Sequence, residues 1–304
     1  MTDHIHFARL AETARPLAPL PTAVVAPESA DALMGALLGR DHTLIDPIFV
    51  GSADKIAAAA EELGADVSGI EIIDIADHAG AAARAVALVH EGRAGALMKG
   101  HLHTDDLLRA VLKRAGGLRT DRRLSHVFAM DVPGHDRLLF ITDGAINIAP
   151  DLACKVSIAQ NALDLAVAVG VTAPKLAVLS AVEAANPAIP SSVEAAEIAA
   201  MAARGEITGG SVQGPLAMDL ALSLHAAAVK GVEGPVAGRA DIVLVPGLEA
   251  GNILFKALTY LAGAKAAGVV LGAAVPVILT SRSDDEHARL ASCAVAVLAA
   301  ARHS

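Results

Sequence analysis

Short runs of β-branched and aliphatic residues alternate along the chain with longer Ala-rich stretches whose apolar positions recur at helical spacing. That is the pattern of βαβ units around a mainly parallel sheet. The runs predict strands over 22–26, 47–51, 71–75, 95–98, 126–130, 138–142, 175–180, 241–245, 269–271 and 277–280. The stretches between them predict helices over 27–38, 52–63, 79–91, 104–114, 151–169, 191–204, 215–229, 252–264 and 285–301, with Ser52 and Ser191 as hydroxyl N-caps. One strand pair departs from this order. Residues 127–130 and 138–141 are joined by the short stretch 131–137, which holds Pro133-Gly134, and this suits an antiparallel hairpin rather than a crossover. Loop-like residues 142–150 follow, so the expected domain crossing lies there. Residues 1–147 with 284–304 form the first α/β domain and 148–283 the second. No fixed-period repeat is present, which sets a solenoid aside.

Composition narrows the classes. A chain of 304 residues, 54% hydrophobic and 19% charged, is long and apolar enough for a sizeable core and is not disordered. A net charge of −9, with five Phe, one Tyr and no Trp, argues against a nucleic-acid partner. It still permits a local basic pocket for an anionic metabolite. Cys154 and Cys293 stand far apart without a CxxC, so neither a disulfide framework nor a Cys-based zinc site is expected. The longest uncharged run, 266–280, is short for a membrane span and is interrupted by Gly268, Gly272 and Pro276. With no basic flank and apolar stretch after Met1, the expected location is the cytoplasm.

Three places can carry chemistry. The strand at 241–245 runs through Gly247 and Gly251 into a helix bearing Asn252 and Lys256; glycines allow close backbone approach, and helix amides favour an anion. Simple turn closure is the alternative, because the spacing matches neither Walker A nor GxGxxG. The strand at 277–280 ends in Ser281-Arg282-Ser283-Asp284, where a guanidinium could fork onto phosphate at a strand's carboxyl end. A helix cap at Ser283 or Asp284 beside a surface ion pair is the plainer reading. Arg119, Arg122 and Arg123 cluster before the strand that follows Ser125, where they either hold the phosphates of a nucleotide or form a solvated loop. His101 and His103, near Asp105 and Asp106, share a face without any further ligand placed by spacing, so no metal is expected.

The run from Asp241 to Lys256, followed by Val277-Ile278-Leu279-Thr280-Ser281-Arg282-Ser283-Asp284, resembles the C-terminal signature of phosphate acetyl/butyryltransferases. Similar matches in the same order are Ala96-Leu97-Met98-Lys99-Gly100, Gly117-Leu118-Arg119-Thr120, Leu124-Ser125-His126, residues 140–150, 177–183 and 214–219. They cover roughly residues 96–285, and their flavour is closer to the butyryl branch. The first 90 residues add little.

The resemblance implies two α/β/α domains with an interdomain cleft, an isocitrate/isopropylmalate dehydrogenase-like architecture assembled as a homodimer. It implies reversible acyl transfer between coenzyme A and phosphate, with acyl-CoA, CoA, phosphate and acyl phosphate as partners and no cofactor or metal. Ser281 and Arg282 are the implied catalytic pair. In the acetyl branch a catalytic Asp lies several residues beyond that pair, but here the spacing reaches Ala288, so either Asp284 or Glu286 substitutes or Arg282 stabilises the thiolate without a base; Asp284 is the residue assigned. Ser125, Arg282, Asn252 and Lys256 are candidates for phosphate or acyl phosphate, and Arg119, Gly251 and Ser281 for CoA. The alternatives are a catalytically silent acyl-CoA-binding regulatory domain, a phosphate:acyl-carrier-protein acyltransferase of related fold, and a hydroxyacid dehydrogenase of the same architecture. The first is expected to lose Ser281-Arg282, the second needs a basic docking surface, and the third needs convergent carboxylates around a divalent metal.

Overall fold

The structure is a computed structural model and describes residues 4–279 and 284–302. The elements begin α1 (Ile5–Ala14), β1 (Leu20–Val25), α2 (Ala30–Asp41), β2 (Ile45–Gly51), α3 (Ala53–Leu63), β3 (Ile72–Asp74), α4 (His78–His90), β4 (Ala96–Lys99) and α5 (Thr104–Val111). They continue β5 (Ser125–Asp131), β6 (Leu139–Thr142), α6 (Leu152–Ala168), β7 (Lys175–Leu179), α7 (Pro190–Ala203), β8 (Ser211–Leu216), α8 (Met218–Leu222) and α9 (Leu224–Val229). The chain ends with β9 (Ile242–Leu244), α10 (Leu248–Ala262), β10 (Lys265–Leu271), β11 (Val277–Ile278) and α11 (Glu286–Ala301).

Two compact units divide these elements: an N-terminal unit of residues 7–122 and 267–304, and a central unit of residues 1–6 and 123–266. In the N-terminal unit β1 pairs in parallel with β2 and β4, β2 with β3, and β4 with β11, while β10 is antiparallel to β11. β1 ends in Ala23, Val24 and Val25, all fully buried, as an inner parallel strand covered on both faces requires. The returning helix α11 is buried almost throughout, and its Ala and Val side chains allow close packing.

In the central unit the expected hairpin forms, with β5 antiparallel to β6 from Val127↔Thr142 to Met130↔Leu139. β6 then pairs in parallel with β9, β9 with β7, and β7 with β8. Met130, Leu139, Ile141, Ala177, Leu220 and Val243 contribute to the core on this sheet.

Several expectations are corrected. The crossings fall at 122/123 and 266/267 rather than 147/148 and 283/284, because β6 pairs with β9 and so draws the whole hairpin into the central unit. The strand β8 and the helix α1 stand where none was predicted. The helix expected over 215–229 is instead the end of β8 followed by two short helices, with the Ser223 hydroxyl capping α9 through the Ala226 amide. Ser52 caps α3 as expected, accepting from the Lys55 amide. Ser191 is not a cap: Pro190 opens α7 with its φ already helical, and the Ser191 hydroxyl meets that of Ser180 at 3.0 Å. Among the described residues no helix is long and apolar enough to cross a membrane.

Candidate active site

In the N-terminal unit, Val277↔Leu97 and Ile278↔Met98 set β11 in parallel register beside β4. Their carboxyl ends therefore emerge together, at the edge where open α/β sheets bind ligands. Ser281 and Arg282, the implied catalytic pair, and Ser283 lie outside the described residues. Asp284, which is described, is half-buried, and its carbonyl accepts from Arg289 Nε at 2.9 Å. The cap of α11 is Asp285, accepting from the Ala288 amide at 3.0 Å, and not Ser283 or Asp284. Glu286 is exposed in the first turn, and Ala288 is buried.

Arg119 has a fixed backbone and an exposed side chain. It forms an isolated antiparallel bridge with Ala273; on either side Leu118 accepts from the Ala274 amide at 2.9 Å and the Thr120 hydroxyl donates to the Gly272 carbonyl at 2.7 Å. Gly117 makes this possible, since a Cβ there would lie 2.2 Å from the Lys113 carbonyl oxygen. The turn is thus clamped to the β10–β11 connection while its guanidinium faces outward. Of the other two arginines, Arg122 is half-buried in the same unit and Arg123 is exposed in the central one.

The central unit packs the loop after β6 against the head of α10. Asp143, 2% exposed, receives the Ala145 and Ile146 amides on one oxygen and the Asn147 amide and side-chain Nδ2 on the other, at 2.6–3.1 Å. Gly144 and Gly251 let the two backbones touch: a Cβ on Gly251 would lie 2.6 Å from the Gly144 Cα. Asn252 Nδ2 reaches the Gly144 carbonyl at 3.5 Å. The helix starts at Leu248, so Lys256 is roughly 12 Å along the axis from the amide end and exposed.

Ser125 is fully buried, its hydroxyl accepting from Asn161 Nδ2 at 2.9 Å. His126 lies beside it, its ring 4.2 Å from Phe128, which stacks on Phe255 of α10 at 4.1 Å. Its Nδ1 is buried without a partner. Burial pushes this imidazole down to about 4, against the opposing pull of the Asp143 carboxylate, so it is neutral at pH 7. Burial also raises both thiols, Cys154 in direction and Cys293 to about 12, which leaves neither as a ready thiolate. Among the described residues no group of three or more His, Cys, Asp and Glu side chains could hold a metal, and His101 is exposed. Reading the sequence assigned no role to Asp143, His126 or Arg289, although the first two stand inside the family-like runs.

Residues 79–297 match the model of the family described as phosphate acetyl/butaryl transferase. The chain belongs to this family. A phosphate acetyltransferase of Rhizobium meliloti is 54% identical over 97% of this chain and 94% of its own length. A phosphate butyryltransferase of Clostridium acetobutylicum is 42% identical over 86% of this chain and 87% of its own length. The acetyltransferase is the more similar of these two, against the butyryl flavour read from the motifs. A crystal structure of a branched-chain phosphotransacylase from Enterococcus faecalis V583 is 34% identical, with a TM-score of 0.80 over 92% of this chain and 99% of that one. The family match omits the first 78 residues, in keeping with the low specificity of that part of the sequence. Membership makes the chain an acyltransferase with the expected α/β architecture.

Proposed function

We infer that this chain reversibly transfers a short acyl group, acetyl or butyryl, between coenzyme A and inorganic phosphate: acyl-CoA plus phosphate gives acyl phosphate plus CoA. The observation that carries this reading is the family match across residues 79–297, which spans Ser281-Arg282 and the clamped Arg119 turn.

A phosphate oxygen attacks the thioester carbonyl, the C–S bond breaks, and the thiolate leaves and takes up a proton. In reverse the CoA thiolate attacks the acyl phosphate, and phosphate departs. Arg282 holds phosphate oxygens with its planar fork, and Ser281 donates to the thiolate or to the developing oxyanion. Asp284 is assigned as the proton acceptor for the CoA thiol. The outward guanidinium of Arg119 takes the CoA phosphates, as a rigid backbone beneath an exposed cation suits.

In the central unit Gly251, Asn252 and Lys256 remain the proposed contacts for CoA and phosphate. Ser125, sealed and engaged by Asn161, is withdrawn as a phosphate contact. Direct transfer without an acyl-cysteine fits two thiols held protonated by burial. The exchange moves no electrons, so no redox cofactor is assigned, and no metal. A cytoplasmic homodimer is part of the proposal.

The test is thiol release from acetyl-, propionyl- and butyryl-CoA, with and without phosphate and with EDTA. Strict phosphate dependence that survives EDTA is expected, and the best substrate sets the acyl preference. Release that ignores phosphate would contradict the assignment.

A further inference from the structure

The loop that leaves the carboxyl end of β6 sorts its side chains the wrong way round. Its polar ones are engaged within the protein: Asp143 is sealed on the amides of Ala145, Ile146 and Asn147, and Asn147 Nδ2 donates to the Leu124 carbonyl at 2.8 Å while its Oδ1 accepts from the Cys154 thiol at 3.4 Å. Its apolar ones face water: Ile148 is 76% exposed, and Ala145 and Ala149 are exposed as well. Between Asp143 and Asp151 no residue carries a charge. A single exposed apolar side chain needs no explanation, but polar groups inside and apolar ones outside on the same short loop do.

The arrangement is fixed at both ends. Three amides are bound to Asp143, and the Ile148 carbonyl accepts from the Leu248 amide at 3.2 Å, which sets the Ile148 backbone against the first turn of α10. A Cβ on Gly247 would lie 3.1 Å from that same carbonyl oxygen. The exposed side chain therefore stands on a held backbone at a strand's carboxyl end, where open α/β sheets place their ligands, and beside the helix that supplies Gly251 and Asn252. One Ile and two Ala offer far less surface than the roughly 800 Å² a side that a stable protein interface buries. A short hydrocarbon chain is an occupant of that size.

We propose that this loop is the wall against which the acyl chain of the acyl-CoA lies, with Ile148 as the residue that sets the preference for chain length. This rests on the reading given under Proposed function and names the part of the substrate that the loop takes. Phosphate and the thioester carbonyl need hydrogen-bond donors, whereas the chain needs only apolar surface, and each methylene removed from water adds to binding.

The test compares kcat/KM for acetyl-, propionyl- and butyryl-CoA at saturating phosphate in wild type, Ile148→Ala and Ile148→Ser. A fully covered methylene is worth about fourfold, and butyryl exceeds acetyl by two, so the butyryl-to-acetyl ratio is expected to fall at least about fivefold in both variants, with propionyl-CoA in between. The phosphate KM is expected to stay within about twofold and Tm nearly unchanged, because the side chain is exposed. Tyr260→Ser removes another exposed apolar side chain, 74% exposed, from the far end of α10 and is expected to leave the ratio as it is.

An unchanged ratio in both Ile148 variants, with phosphate-dependent release intact, would overturn this proposal and leave the acyl-transfer reading standing. An equal loss for all three substrates would also overturn it, since a coenzyme A contact or a structural role acts on every thioester alike, and so would the same fall in ratio in Tyr260→Ser. A lower particle mass of Ile148→Ser in light scattering would make the loop a contact between copies of the chain and not an acyl wall. Wild-type enzyme that releases no thiol from any of the three substrates in the presence of phosphate would instead fail the acyl-transfer reading, and this proposal with it.

Discussion

The loop after β6 and the turn around Arg119 both carry family-type motifs, and they treat their polar side chains in opposite ways. Asp143 is sealed, and both its oxygens are occupied by N–H donors from Ala145, Ile146 and Asn147. Arg119 is the reverse: its backbone bridges to Ala273, the Leu118 carbonyl and the Thr120 hydroxyl beside it are occupied, and its side chain is exposed. A motif can therefore mark architecture or a ligand contact, and the hydrogen bonds tell which. In the first loop the chemistry-bearing group holds up the backbone, and in the second the backbone holds up the chemistry-bearing group.

The largest effect that would break this contrast is expected at Asp143. Asp143→Ala strips the acceptor from three amides and the Asn147 side chain, and a loss of about 3–5 kcal/mol is expected in chemical denaturation. Near wild-type stability with lost activity would instead make Asp143 a catalytic group. Gly251→Ala comes next: pushing a methyl into the Gly144 backbone is expected to cost about 2 kcal/mol, read as a fall in Tm. An unchanged Tm would show that the two glycines are not a required contact.

Acid should act on the same region. His126 has a folded pKa of about 4, below the ordinary 6.5, so the unfolded chain takes up the proton more readily. Its contribution is fully present above pH 6.5 and is lost as pH falls toward 4, reaching about 2 kcal/mol of lost stability by pH 5. Comparing the pH dependence of stability in wild type and His126→Gln isolates this slope, and identical slopes would remove His126 as its source.

The smallest effect in free energy is expected at Arg119. Arg119→Gln should leave stability within about 0.5 kcal/mol and raise the CoA KM about tenfold with little change in kcat. A pantetheine thiol lacking the nucleotide phosphates should not notice the substitution. Equal losses with both substrates would make the Arg119 turn structural and erase the contrast.

Local patterns foretold most of the fold. β1, β2 and the β5–β6 hairpin were legible because burial on one or both faces imposes continuous or alternating apolar runs. β8 was not, since it pairs with β7 at the edge of the central unit, is mostly half-buried, and carries Gly214-Pro215. The domain seam was misplaced because the partner of β6 is β9, a hundred residues on, and pairing at that distance leaves no trace in local periodicity. In the candidate site, Arg119 was proposed from its family-like run and Asp284 as a stand-in for the missing Asp at position 288. Burial of Ser125 and the position of Lys256 depended on where Asn161 and the start of α10 fall. Arg289, one cation in an Ala-rich helix, reads as a surface residue until Asp284 and Asp31 are seen to meet it.

The central claim is direct acyl exchange between coenzyme A and phosphate, and phosphorus NMR of the enzyme with acetyl-CoA and inorganic phosphate tests it most directly when CoA release is counted in the same sample. Acyl phosphate and free CoA are expected to rise in equal amounts, with the reaction running backward from acetyl phosphate and CoA and stopping in the Arg282→Lys variant. Release of CoA without acyl phosphate, or an acyl group retained on Cys154 or Cys293, would contradict the account.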